Sequence, residues 1–535
     1  MFGATVLGAA GSASTAYSIA NSIRFDGVDD YLSRTFGTPT LQTKWTWSGW
    51  VKRGTLSSGT PCMFSPVTAN SGLYFGGGDT LNLADNGTNY AVSTPVFRDP
   101  SAHYHVVCSV DTGASGTDKL RLYVNGQQIT TFGTDARSTY TVTSFNVNAV
   151  SHQLGKYCNQ PSYFSGYLSD IYFIDGQALT PSSFGELDSN GVWVPKAYSG
   201  TYGNNGFHLD FSDGTSTTTL GYDAAGSNDW TLSGMTRAAG VNECWMVDTP
   251  TDNFATLNSV NKGSSVTLAV GNLNYTTSAT TPGAAVAGTI AVSTGKWVWE
   301  VTAGSATYEH GLALADSNII SGTYATYNFA RIVFLNGNKR IGSASSTAYG
   351  TGATAGDVYR FEADLDNGTL VVFKNNSSLG TLHSWTPTGA LLVPHADYST
   401  TPGAADSYNF GQGNVASATW DSASGGYFKN TPTSGFKALC TANLPAGSVT
   451  TSGSFTGNSA TDGPFVWLNG SPTAMTINGN AVTFGTHADK TAGGFKLRTS
   501  SSSYNASGSN TYSITTNAGV FGDVNHAPQT AKGNP

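Results

Sequence analysis

Paired carboxylates are the first residues to weigh, because two acids at alternate positions of an extended chain can cut a glycosidic bond. Glu186-Leu187-Asp188 has that spacing and would offer a nucleophile and a general acid/base from one strand face. Ser189-Asn190 follows where a further acid would be needed. We therefore expect solvated loop carboxylates, no catalytic residue and no enzyme. His103 and His105 also share a strand face, but a metal needs at least a third ligand and no suitably spaced partner is present; core-edge or solvent-facing histidines are expected. Asp210, Asp213, Asp223 and Asp229 carry the hard oxygens calcium prefers, without the spacing of an EF-hand loop, so turn-forming roles are expected. Cys62, Cys108, Cys158, Cys244 and Cys440 are odd in number, far apart and never in a CxxC arrangement. They read as free thiols of a protein made in a reducing cytoplasm, with no zinc and no disulfide framework. From the residues alone, neither a metal nor a cofactor is implied.

Aromatic and amide groups offer different chemistry: rings stack on sugar faces, and amides hold hydroxyls. The segment KYCNQPSYF mixes the two, and Tyr157, Asn159 and Tyr163 are the candidate ligand-binding residues. Turn and packing roles stay open for all three.

The elements that must position such groups are strands. Aromatics make up 12% of the 535 residues and charged residues only 11%, so there is ample surface to bury. Gly, Ser, Thr and Asn dominate the rest, which suits short strands joined by many turns. The net charge of -8, with no basic run, argues against a nucleic-acid groove. No apolar stretch reaches the length of a membrane span. The opening MFGATVLGAAGS lacks a basic start, since Arg24 is the first cation, and reads as a docking arm rather than a secretion signal.

Ordered strand signals then follow: FDGVDDYL, WTWSGWVK, HYHVVCSVD, LRLYVNG with its Asn125-Gly126 hairpin turn, and GYLSDIYFIDGQAL. Trp45 and Trp47 fall on one face. In this order and spacing the series resembles the concanavalin A-like, laminin-G-type β-sandwich. That resemblance implies two facing antiparallel sheets and a glycan-binding concave sheet or rim, in some members with calcium. After the polar DTPTDNFATLN comes a second series: Thr289–Val292, KWVWEV, HGLALA, GDVYRFEADLDNGTLVVFKN and YNFGQ. It resembles the SPRY (B30.2-like) sandwich, a non-enzymatic partner-binding fold. Trp297 and Trp299 share a face, and core packing is expected for both.

The predicted organisation is all-β: a docking arm over 1–21, a laminin-G-like sandwich over 22–210, a linker over 211–258, a SPRY-like sandwich over 259–445 and a small β-domain over 446–535. Residues 446–462 are expected to be a flexible connection. The order of modules, together with the opening residues and the coda GFKALCTANLP, resembles a family of tailed-bacteriophage fibre proteins. The resemblance implies a virion component synthesised in the host cytoplasm and displayed on the particle, homo-oligomeric with a trimer expected. Its arm would dock on other virion proteins, and its surface would adhere to a host glycan or receptor. Two other readings are a head-decoration or spacer fibre with no receptor site of its own, and a polysaccharide depolymerase, which would need carboxylates that the sequence does not supply.

Overall fold

A computed structural model of the chain describes residues 17–518 except 57–58, 69, 143, 189–190, 236, 238–243, 279–283, 305–307, 316–327, 343, 398–402, 414–416, 445–446, 458–464, 468–471, 484–487, 492–493 and 498–507. Most of the expected arm, residues 1–16, thus lies outside the described residues. Among the described residues the elements are strands and a few single 3-10 turns, with no α-helix. The protein is all-β.

The first sandwich grows from period-two alternation. Trp45 and Trp47 point inward from Lys44–Arg53, and Cys108 and Val110 from His103–Asp111. Leu168, Ile171 and Phe173 do so from Ser165–Asp175. These strands form one sheet with Leu120–Val124, Ser22–Asp26 and shorter edge strands. The facing sheet runs Phe132–Asp135, Thr88–Val96, Thr80–Asp85, Gly72–Phe75, Cys62–Pro66, Ser151–Leu154, Tyr31–Thr35, Thr231–Ser233. Phe64, Leu73, Leu83 and Leu154 complete the core from its inner side. At the Asn125-Gly126 turn both residues take positive φ, 48° and 79°, as a two-residue hairpin whose twist matches its strands requires.

Residues 211–258, expected as a linker, belong largely to this sandwich. Leu220, Trp230, Met235 and Cys244 enter its core. Thr231–Ser233 pairs with Tyr31–Thr35, and Trp245–Met246 with Ser22–Asp26. Polar composition misleads here because the scattered apolar residues are few but fully used.

The second sandwich pairs two sheets, antiparallel but for Lys437–Ala438, which runs parallel to Lys296–Thr302. One contains Leu257–Lys262, Val286–Gly288, Leu392–Asp397, Glu309–Leu314, Asn328–Val333 and Lys339–Ile341. The other centres on Lys296–Thr302, Val358–Asp364, Thr369–Lys374 and Asp406–Asn409. Trp297 and Trp299 are buried, and Trp299 stacks on Phe361 at 5.3 Å. The strand expected over 289–292 shrinks to a single bridge between Val292 and Leu392.

The two sandwiches cluster as one compact unit through Asn443, and a buried polar joint accounts for it. The Lys52 ammonium donates to Asp248 Oδ2 at 2.7 Å, Asn253 Oδ1 at 2.8 Å and the Phe254 carbonyl at 2.7 Å. All three of its protons are used, and both charged side chains are wholly buried. Tyr167 donates to the Gly271 carbonyl and Asn272 to that of Gly54. The DTPTDNFATLN segment is therefore an ordered seam rather than a spacer.

From Leu444 onward the chain belongs to a second compact unit. Gly447–Gly457 pairs along its whole length with Gly508–Ala518, which also pairs Pro472–Ile477. The flexible connection expected over 446–462 is instead, at 447–457, a strand. A backbone ladder tolerates Ser and Thr side chains that carry no burial signal.

Candidate functional site

The loop holding the three candidate residues folds back on the outer face of the second-named sheet. Lys156 and Tyr163 pair across it as an antiparallel bridge. Ser65, on the strand beneath, donates to the Lys156 carbonyl at 2.7 Å and accepts from the Cys158 N–H at 3.0 Å. So pinned, the loop sends its first tyrosine down and its last one up.

Tyr157 goes down. It is 9% exposed and packs with Cys62, Tyr74, Ala84 and Cys158, its ring edge-on to Tyr74 at 5.1 Å. A Cβ at Gly72 would sit 2.9 Å from the Tyr157 ring, so that glycine makes the seat. Burial raises the phenol's pKa. Tyr157 cannot offer a ring face to a sugar, which corrects the sequence expectation; its physical reason is the glycine opposite. Asn159 is exposed, and its amide nitrogen donates to the Val67 carbonyl at 3.2 Å. Tyr163 is partly exposed and lies 6.4 Å from Tyr31, the rings tilted by 42°. The Lys156 ammonium sits over both rings, 4.5 Å from the Tyr31 centroid and 5.3 Å from that of Tyr163.

Beside Tyr31 the FDGVDDYL turn gathers three acids. Ligand oxygens of Asp26, Asp29 and Asp30 lie within 4.8 Å of one another. Two of these acids also serve the turn: Asp26 Oδ1 accepts the Val28 N–H at 2.7 Å, and Asp30 Oδ2 accepts the Asp26 N–H at 2.8 Å. Burial, then the neighbouring Asp26 charge, push the Asp30 carboxyl up to about 7. This donor set suits a hard divalent cation such as calcium, which these three side chains would hold and whose charge would offset their mutual repulsion. Together the rim offers two tyrosine rings, one cation and three carboxylates around a single turn.

Other groups weighed from sequence are used structurally. His105 is buried, its Nε2 2.9 Å from Ser48 Oγ, its Nδ1 accepting from Trp193 Nε1 at 3.0 Å and its ring stacked on Trp50. Desolvation lowers its pKa to about 3. His103 lies buried 3.9 Å from Asp248 at the joint. Both are interior rather than core-edge or solvent-facing. Glu186 is exposed, with Lys196 at 3.8 Å. Asp210, Asp213 and Asp223 accept backbone N–H groups two residues on, as turn formers do, and Asp229 accepts the Asp223 N–H.

Tyr31, Lys156 and the three aspartates were not selected from sequence as site residues. Three acids within five residues beside a tyrosine were the available signal, but nothing local tells that this turn meets residues 156 and 163. Trp420, on the second sandwich, was missed as well.

Against known proteins, residues 26–185 match a family described as the concanavalin A-like lectin/glucanases superfamily. That matched stretch contains every residue of the rim just described. No curated protein matches the chain. Among solved structures, similarity is found to a protein of Bacteroides ovatus ATCC 8483 assigned as carbohydrate binding, at 19% identity and a TM-score of 0.30, covering 41% of this chain and 60% of that one. A heptameric SAP-like pentraxin of Limulus polyphemus is similar at 20% identity and a TM-score of 0.24, covering 31% and 80%. The PSpry domain of TRIM65 is similar at 14% identity and a TM-score of 0.24, covering 29% and 90%. The chain thus spans three fifths of the length of the first of these.

Proposed function

We propose that this protein is a non-catalytic adhesin that binds glycans through the Tyr31–Lys156–Tyr163 rim of its first sandwich. We further propose that it works as a fibre of a bacteriophage particle, with a tail fibre the favoured placement. The observation that carries the reading is the pair of partly exposed tyrosines bracketing a lysine beside three carboxylates. It lies within a stretch that matches a lectin-type family. Rings supply stacking surface once the ammonium over them is displaced, Asn159 supplies a donor, and the acids supply acceptors or a calcium seat. The fibre placement rests on the resemblance of the module order and the opening residues, and brings with it a homotrimer, an N-terminal arm docked on other virion proteins and display on the particle surface. Five buried free thiols suit synthesis in a host cytoplasm.

The test exposes purified protein, with and without EDTA, to a glycan array and to a panel of bacterial strains. Saturable binding that Tyr163→Ala sharply weakens, without a change in melting temperature, is the expected result. Loss in EDTA assigns calcium to the aspartate turn. An intact oligomer, checked by light scattering, that binds no glycan and no strain would replace the adhesin with a spacer fibre.

A further inference from the structure

Trp420 is 50% exposed, and among the described residues it is the one tryptophan in the exposed class. A large ring left in water is ordinarily free to fold back onto the surface; this one is held out. It sits on Thr419–Asp421, paired with Gly426–Phe428, directly across from Tyr427. The two rings are 5.2 Å apart and edge-to-face at 61°. On its other side Tyr427 meets Trp245 at 5.8 Å and 77°. Trp245 is fixed in turn: its Nε1 donates to the Phe211 carbonyl at 2.9 Å, and the Arg237 guanidinium lies 5.1 Å from its centroid. The hairpin itself is tied down. Asp421 Oδ2 accepts the Ser424 N–H at 3.0 Å, and Asn443 donates to the Ser424 carbonyl at 3.0 Å. The result is a preorganised row, Trp420–Tyr427–Trp245, that crosses from the second sandwich to the first.

We propose that Trp420 is a second carbohydrate subsite, taking the C–H face of a neutral, β-configured pyranose. Size and surroundings favour a sugar over the alternatives. Thr419 and Ser422 beside it are exposed and polar, and no other large exposed apolar side chain lies on the hairpin. A stable protein partner buries about 800 Å² per side, far more than one indole, whereas a pyranose ring matches an indole in area. Nucleic acid, the other ligand that stacks on aromatics, is disfavoured by the net charge of -8. Rigid exposed aromatics bind cheaply because little side-chain freedom remains to be lost. The subsite is separate from the Tyr31–Tyr163 rim and does not need it; should both engage one polysaccharide, their linkage raises avidity through effective concentration.

The test uses the full oligomeric chain with methyl β-glucoside, methyl β-galactoside and methyl β-N-acetylglucosaminide as probes, read by saturation-transfer NMR and fluorescence titration. At least one probe is expected to receive saturation on its ring C–H protons. Trp420→Ala should weaken that binding about tenfold, Trp420→Phe should retain part of it, and Tyr163→Ala should leave it unchanged. Failure of the rim alone would thus show as glycan-array binding that Tyr163→Ala leaves intact while Trp420→Ala still loses the pyranoside signal. Equal transfer in wild type and Trp420→Ala overturns the subsite. So does absence of transfer from all three probes, and so does dissociation of the oligomer in Trp420→Ala, which would make the indole a contact between copies.

Discussion

The two aromatic surfaces of this molecule use similar residues in opposite states. At the Tyr31–Tyr163 rim a lysine ammonium already lies over both ring faces. In the Trp420 row, among the described residues, the cation over a ring face sits at the far end, on Trp245, and the terminal indole is half exposed. What an aromatic can receive therefore depends on what its face already carries. Tyr157 gives the limiting case: six positions before Tyr163 in the same loop, its ring is used up by the sheet beneath.

The largest expected effect comes from the joint, because the Trp420 row crosses it and the rim does not. Asp248→Ala leaves the wholly buried Lys52 ammonium without its counter-charge, and should cost about 3–5 kcal/mol in urea denaturation. It should also weaken pyranoside binding at Trp420 while sparing the rim. Pairing Asp248→Leu with Lys52→Met should recover most of the stability. Equal losses at both surfaces would mean that the contrast between them does not follow the seam.

Next in size is the pair within one loop. Tyr157→Ala opens a cavity between Cys62 and Tyr74 and should lose about 3 kcal/mol. Tyr163→Ala should change stability by less than about 0.5 kcal/mol yet remove the rim's share of glycan binding. Matching stability losses would place Tyr163 in the packing as well.

Acid should act on the first sandwich through its interior histidines. Burial depresses both His105 and His152 to about 3, below the ordinary value near 6.5. The unfolded chain takes up those protons first, so their contribution is full above pH 6.5 and is lost as pH falls toward 3. Each should add a slope of about 1.4 kcal/mol per pH unit in that window. Burial raises Asp248, Glu300 and Glu309, which opposes the fall, since a carboxyl raised in the fold gains stability relative to the unfolded chain as pH drops. Urea midpoints at pH 7.0, 6.0 and 5.0 measure the balance. His152→Gln should flatten the acid limb; an unchanged limb would remove that histidine from the account.

Strand content, the shared face of Trp45 and Trp47, and the Asn125-Gly126 hairpin were legible because period two and turn chemistry are local. The seat of Tyr157 was not, since Gly72, far back in the chain, creates it. Nor was the seam: Asp248 reads as linker polarity until its partner, 196 residues earlier in the chain, is known. At the rim, Tyr163 could be picked by type, but Tyr31 joins it only through the pairing of Tyr31–Thr35 with Ser151–Leu154. Trp420 and Tyr427 flank a Ser/Gly-rich turn as a cross-strand pair should, yet exposure is a property of the whole surface, which spacing does not carry.

The smallest effect separates the surfaces most sharply. Lys156→Met keeps length and apolar contact while removing the charge from the two ring faces. A cation over an exposed ring is worth about 0.5–1 kcal/mol, so a ligand that must displace it loses that much. For a neutral pyranoside the rim of the Met variant should bind about threefold more tightly, and the Trp420 signal should not move. A uronic acid probe should respond with the opposite sign, because the ammonium over those rings is a counter-charge to its carboxylate. If neutral sugars also bind more weakly after Lys156→Met, the ammonium is a hydrogen-bond donor to the ligand rather than a cover over the rings. The rim and the indole row would then be two versions of the same open site.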